Sequence, residues 1–346
     1  SGNKLTKVTD FGLIDNASKV TLNTDKTYQT ITGFGGSFTE SSAYLLNRLS
    51  KENRDKILEA YFGESGAKYS LTRTHISSCD FSLNNYTYAP VENDLKLEHF
   101  TIDEDREDLI PMIKDAMKIS KEGFNIIASP WTAPPWMKDN KEYVGGKLLP
   151  EYYDAFALYF SKYLDAYKAE GIDIWGLTPV NEPHGNGNNW ESMHFTAGTQ
   201  NEFIKRQLGP KLRESRHSDT RILIYDQNRD HLEHWSDVII GDPETAAYVY
   251  GMAVHWYSST VKVYEDVFER VHEKYPGFAI IHTEGTIDDL GKPAPEAILD
   301  PERFQESDWF TRPNVTEINA APTFGPQASS FELSVKQDTP AIKGAN

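Results

Sequence analysis

Short apolar runs alternate along this chain with longer stretches in which apolar residues return every three or four positions. That rhythm predicts an α/β protein built on a parallel sheet. The apolar runs place candidate strands around Phe34-Gly35-Gly36 and over residues 70–76, 125–129, 174–179, 221–225, 250–255 and 278–282. Helical spacing fills residues 44–62, 101–117, 152–167, 201–213 and 261–275, with Thr101-Ile-Asp-Glu104 reading as a capping box. From Gly33 to Glu284 the chain has about the length of a (β/α)8 TIM barrel, roughly 250 residues. A doubly wound open sheet is the rival architecture. It would carry a GxGxxG turn with an acidic residue about 20 positions on, which Gly33-Phe-Gly-Gly36 does not supply.

Each of six apolar runs is followed at once by polar or aromatic residues. These are Cys79-Asp80-Phe81, Pro130-Trp131-Thr132, Asn181-Glu182-Pro183, Asp226-Gln227-Asn228, His255-Trp256-Tyr257 and Thr283-Glu284-Gly285. Active sites of TIM barrels form at the C-terminal ends of several strands together, so these endings predict a shared rim. Residues 1–32 read as strands of a small side β-module, 33–310 as the barrel, and 311–346 as an atypical C-terminal segment. Neither an eighth strand nor a C-terminal β-domain is evident in that last segment.

Composition narrows the classes. The 346 residues carry a formal net charge of −17 and no basic stripe, which argues against a nucleic-acid partner. A single cysteine, Cys79, excludes an internal disulfide and a zinc ribbon. No run reaches the roughly 18 apolar residues of a membrane span. The first residues, Ser-Gly-Asn, carry no signal-peptide pattern and read as the start of a processed product.

Glu182 and Glu284 stand out among the 52 acidic residues because each closes an apolar run. Distant strands of a barrel bring such residues together. Two carboxyls about 5 to 5.5 Å apart, one protonated and one ionised, are what retaining glycoside hydrolysis needs. Gly285 is read as leaving room for substrate beside Glu284. Glu40 and Asp226 are weaker carboxylate candidates, read as hydrogen-bonding supports. His75, His255 and His282 sit at strand ends, but no HExxH or comparable ligand spacing occurs, so no metal site is expected. A GxSxG nucleophile elbow is absent as well.

At these same residues the sequence resembles glycoside hydrolase family 30, in the branch of glucosylceramidases and endo-β-1,6-glucanases. The matching blocks are Gly33-Phe-Gly-Gly-Ser-Phe-Thr-Glu40, Arg73, Ser77-Ser-Cys-Asp-Phe-Ser82, Tyr86-Thr-Tyr88, Ala128-Ser-Pro-Trp-Thr-Ala-Pro-Pro-Trp-Met137, Asn181-Glu-Pro183, Ala253-Val-His-Trp-Tyr257 and the segment at Glu284. The resemblance implies Glu182 as acid/base and Glu284 as nucleophile. It further implies that Asn181 binds the sugar 2-hydroxyl, that Asp80 and Trp131 hold the outer hydroxyls, that Arg73 sits beside the nucleophile, and that His255 and Tyr257 line the subsite. The expected substrate is a β-glucan or glucolipid, with no cofactor, because the two carboxylates supply acid, base and nucleophile. Such substrates suggest a secreted or periplasmic location. The alternative is a truncated, catalytically impaired relative that grips sugar without turning it over.

Overall fold

The computed structural model describes residues 23–185, 190–259 and 262–286. Seven strands form one parallel sheet: β1 (Ser37–Phe38), β2 (Leu71–Ile76), β3 (Asn125–Pro130), β4 (Gly176–Leu177), β5 (Arg221–Asn228), β6 (Val249–His255) and β7 (Ala279–Glu284). Each strand pairs with the next in sequence. A doubly wound sheet reverses its strand order at a switch point; this one never does, and it follows the order of a TIM barrel. All seven predicted strands are present, within a few residues of their expected bounds. The expected gap at an eighth strand and residues 311–346 lie outside the described residues. So do residues 1–22 of the expected side module, and residues 23–36 contain a turn but no strand.

The two-residue period of the strands explains the interior. Leu71, Ile127, Leu223, Ala253 and Ile281 form a separate apolar cluster with one residue from each of five strands. Two positions further along β2, β3, β6 and β7 stand Arg73, Ser129, His255 and Thr283, all buried. An apolar plug therefore carries a polar layer nearer the C-terminal rim, as alternation requires. On β5 strict alternation from Leu223 would turn residue 225 inward. Instead Tyr225 and Asp226 both adopt positive φ, 76° and 64°, and the β5–β6 register shifts between Tyr225 and Gln227. This bulge lets the Tyr225 ring pack outward on Trp235, centroids 5.1 Å apart, while Asp226 joins the polar layer.

The other faces of the strands pack on helices through the main core. Helix Tyr153–Ala169 buries Phe156, Tyr159, Phe160, Tyr163 and Tyr167, the three-to-four spacing seen in the sequence. Three helix expectations need correction. The segment 44–62 is two helices, Glu40–Asn47 and Lys51–Phe62, because Ser50 caps the second by accepting from Asn53 N. Thr101 does not form a capping box. Its Oγ1 accepts from Asp103 N, and helix Asp103–Glu107 starts from Ile102 without a side-chain cap. The segment 201–213 is a helix Ala197–Phe203 that widens into a π turn at Ile204–Leu208 before Gly209–Glu214.

Candidate active site

Arg73 is the centre of the polar layer and is 2% exposed. Its Nε donates to Ser129 Oγ at 3.2 Å, Nη1 to Glu284 Oε2, and Nη2 to both Asn181 Oδ1 at 2.9 Å and Asp226 Oδ2 at 2.6 Å. Planar guanidinium geometry makes such simultaneous contacts possible, where a lysine would offer a single point charge. Burial disfavours its charge, but Asp226 and Glu284 outweigh that and hold Arg73 firmly protonated.

Asp226, fully buried, answers Arg73 from the opposite side. Oδ2 also accepts from Ser129 Oγ at 3.1 Å and Thr178 Oγ1 at 2.7 Å; Oδ1 accepts from His255 Nε2 at 3.0 Å and Thr283 Oγ1 at 2.6 Å. Burial would raise its pKa, yet the Arg73 charge and the His255 hydrogen bond lower it far below the usual carboxylate range. The other nitrogen of His255, Nδ1, faces Glu182 Oε1 at 3.1 Å. Burial alone would depress the imidazolium, but the Glu284 charge and the bonds to Asp226 and Glu182 raise it to about 10. His255 thus turns one ring nitrogen to Asp226 and the other to Glu182.

Glu182 lies in the loop that follows β4, and Glu284 ends β7. Their side chains are 13% and 18% exposed, whereas Asp226 and His255 are sealed, so substrate can reach the two glutamates alone of this group. One carboxylate oxygen of each, together with a His255 nitrogen, lies within 4.8 Å of the others. Tyr257 donates to Glu284 Oε1 at 3.0 Å, so Arg73 and Tyr257 fix both oxygens of Glu284. Among the described residues Glu182, His255 and Glu284 are the group whose spacing could hold a cation.

The remaining expected residues fall around this centre. Asn181 is buried, and accepting a hydrogen bond from Arg73 Nη2 on its Oδ1 fixes its amide orientation. Trp131 is buried with its ring centroid 4.9 Å from the Arg73 guanidinium carbon. Asp80 is open to solvent at the rim. Crowding by the protein behind it, then the charges of Glu284 and Glu182, raise its carboxyl to about 7.

Residues 31–294 match the glycosyl hydrolase family 30 TIM-barrel domain. The chain belongs to this family. Putative glucosylceramidase 3 of Caenorhabditis elegans is 38% identical over 263 residues, covering 73% of this chain and 50% of its own length. Lysosomal acid glucosylceramidase of Mus musculus is 36% identical over 277 residues, covering 78% and 54%. Among solved structures, the endo-beta1,6-glucanase BT3312 superposes with a TM-score of 0.71 at 32% identity, over 77% of this chain and 60% of that one. The chain thus spans about half the length of the curated relatives it matches.

In this family 30 barrel several supporting residues escaped the sequence reading. Ser129, Thr178 and Thr283 supply three of the hydrogen bonds to Asp226; Thr283 stood in a strand-end triplet and Ser129 in a family-matching block, but none of the three was read as a support. Asp226 is a hydrogen-bonding support, as read, but a far more connected one. Glu40 supports the rim by accepting from Leu83 N at 3.0 Å, and its own N–H donates to His75 Nε2. Lys138, 1% exposed, donates to Thr132 Oγ1 and to the carbonyls of Glu142, Tyr143 and Ser192, tying loops that follow β3 and β4. Gly285 also meets a packing demand, since a Cβ there would stand 2.8 Å from His282 Cε1.

Proposed function

We propose that this chain hydrolyses β-glucosidic bonds with retention of configuration. The observation that carries the reading is the separation of the reachable glutamates, with an oxygen of each inside 4.8 Å. Retaining enzymes hold their carboxyls about 5 to 5.5 Å apart, and inverting ones about 6.5 to 9.5 Å to admit a water.

Glu284, its oxygens aimed by Arg73 and Tyr257, attacks the anomeric carbon to form a glycosyl ester. Glu182 gives its proton to the departing oxygen, so the aglycone leaves as a neutral alcohol. Glu182 then takes a proton from water, which attacks the same carbon and frees Glu284. Both charges on the glutamates change while the buried Arg73–Asp226 pair stays fixed below them, a preorganised field of the kind that lowers such barriers. On this reading Asn181 binds the 2-hydroxyl, and Asp80 and Trp131 hold the outer hydroxyls of the sugar. A β-glucan with 1,6 linkages or a glucolipid is the substrate class, and a secreted or periplasmic location suits either.

The test is to incubate the chain with a β-1,6-glucan and, separately, with glucosylceramide, following the first-formed anomer by proton NMR beside Glu284→Gln. A β-anomer released first, and lost in the variant, supports the proposal. An α-anomer first, or sugar binding without turnover, overturns it.

A further inference from the structure

Glu182 has a left-handed backbone, φ 49°, although it precedes a proline. A residue with a Cβ is strained there, and a following proline restricts it further. Such a conformation persists only where the surroundings impose it. Three main-chain ties are visible. Glu182 N donates to Asp226 O at 3.0 Å, Gly185 N donates to Glu182 O at 2.8 Å, and Phe195 N donates to Pro183 O at 3.0 Å. The second closes a turn whose central residues are Pro183 and His184.

Of the residues in that turn, Pro183 and Gly185 have no polar side chain, which leaves His184 to fasten the tip. It does so across an element boundary. Trp235, buried on helix Leu232–Ile239, donates its indole Nε1–H to His184 Nε2 at 3.1 Å. The Trp235 ring is itself packed on Tyr225, the first residue of the β5 bulge that carries Asp226. One indole thus touches both the turn bearing Glu182 and the bulge whose carbonyl holds Glu182 N.

We propose that His184 and Trp235 are positioning residues for the proton transfer made by Glu182: the indole–imidazole hydrogen bond holds the turn that keeps Glu182 left-handed and its carboxyl on His255. The inference rests on Glu182 being the general acid. It assigns no contact with substrate to His184. Its consequence is selective, because only leaving groups that need a proton depend on where that carboxyl stands.

The test compares His184→Phe with His184→Gln. His184 is exposed at the rim, so neither change opens the core. Phenylalanine keeps a ring but removes the acceptor; glutamine restores an acceptor. Hydrolysis of phenyl β-glucoside, a poor leaving group, is measured beside that of 2,4-dinitrophenyl β-glucoside, which departs without protonation. In His184→Phe the ratio of kcat/KM for the two falls about tenfold, a fraction of the ~100- to 10,000-fold that a general acid supplies, and glutamine restores it. Equal losses on both substrates, or a glutamine variant no better than phenylalanine, overturn the proposal. Glu182→Gln, run in parallel, must show the same selectivity more strongly; if it does not, the reading of Glu182 fails by itself. A crystal structure of His184→Phe then decides the positioning independently of turnover. Glu182 leaving the left-handed region supports it, and Glu182 unchanged with its carboxyl still on His255 refutes it.

Discussion

Arg73 and Asp226 are both sealed from solvent and depend on each other for charge balance. Removing one partner of such a pair strands the other, which is where most of the cost of breaking a buried ion pair arises. Arg73→Met is expected to lower unfolding free energy by about 3 kcal/mol, and adding Asp226→Asn to recover part of it; urea unfolding of the two variants checks both. His255 gives a pH signature. Its folded-state pKa is raised from 6.5 to about 10, so its stabilising contribution is complete below about pH 6.5 and is lost as pH climbs toward 10. Asp226, whose pKa is depressed, contributes in the opposite sense, and its share is lost only as pH falls well below 3.8. The melting temperature of the wild type should therefore drop toward that of His255→Gln between pH 6.5 and 10, and parallel curves would contradict the assignment. At this scale the sequence marked Glu182 and Glu284 because they close apolar runs. It did not mark Asp226 as the hub, because two left-handed residues shift the inward parity of β5 by one, and no propensity announces that bulge.

Among the elements, the segment leading into β1 carries a structural demand that glycine meets. A Cβ on Gly35 would stand 1.6 Å from the Leu71 carbonyl oxygen, and Leu71 N is bonded to Phe34 O, so neither backbone can retreat alone. Gly35→Ala should cost about 3 kcal/mol or more by overpacking. Gly277→Ala, where a Cβ meets nothing within 4 Å, should melt near the wild type. A thermal scan of the pair separates a local clash from a general glycine effect. The strands were legible because a parallel sheet covered on both sides writes itself as continuous apolar runs; every residue of β2 is buried. Helix boundaries were less so. Apolar spacing runs on through Arg48 and Leu49, but the Ser50 cap and the π turn at Ile204–Leu208 are local hydrogen-bonding choices that periodicity does not record.

For the whole molecule, the sequence carries a net charge of −17, and the described rim presents Asp80, Glu182 and Glu284. Arg73 and His255 are buried beneath these carboxyls, so the groups an approaching ligand reaches first are acidic ones. Charge of one sign around a cleft changes the local concentration of charged ligands and is screened by salt, with a Debye length of about 10 Å at 0.1 M. A neutral glucosyl substrate is indifferent to that field, whereas one with a carboxylate in its aglycone is repelled until salt screens it. Between about 0.02 and 0.5 M NaCl, kcat/KM should stay within about twofold for the neutral substrate and rise about threefold or more for the anionic one. Steady-state rates on a matched pair of aryl β-glucosides, one with a carboxylated ring, measure the difference. A rise on both would place the effect of salt in the fold instead, since screening the molecule's self-repulsion stabilises a strongly acidic chain whatever its substrate.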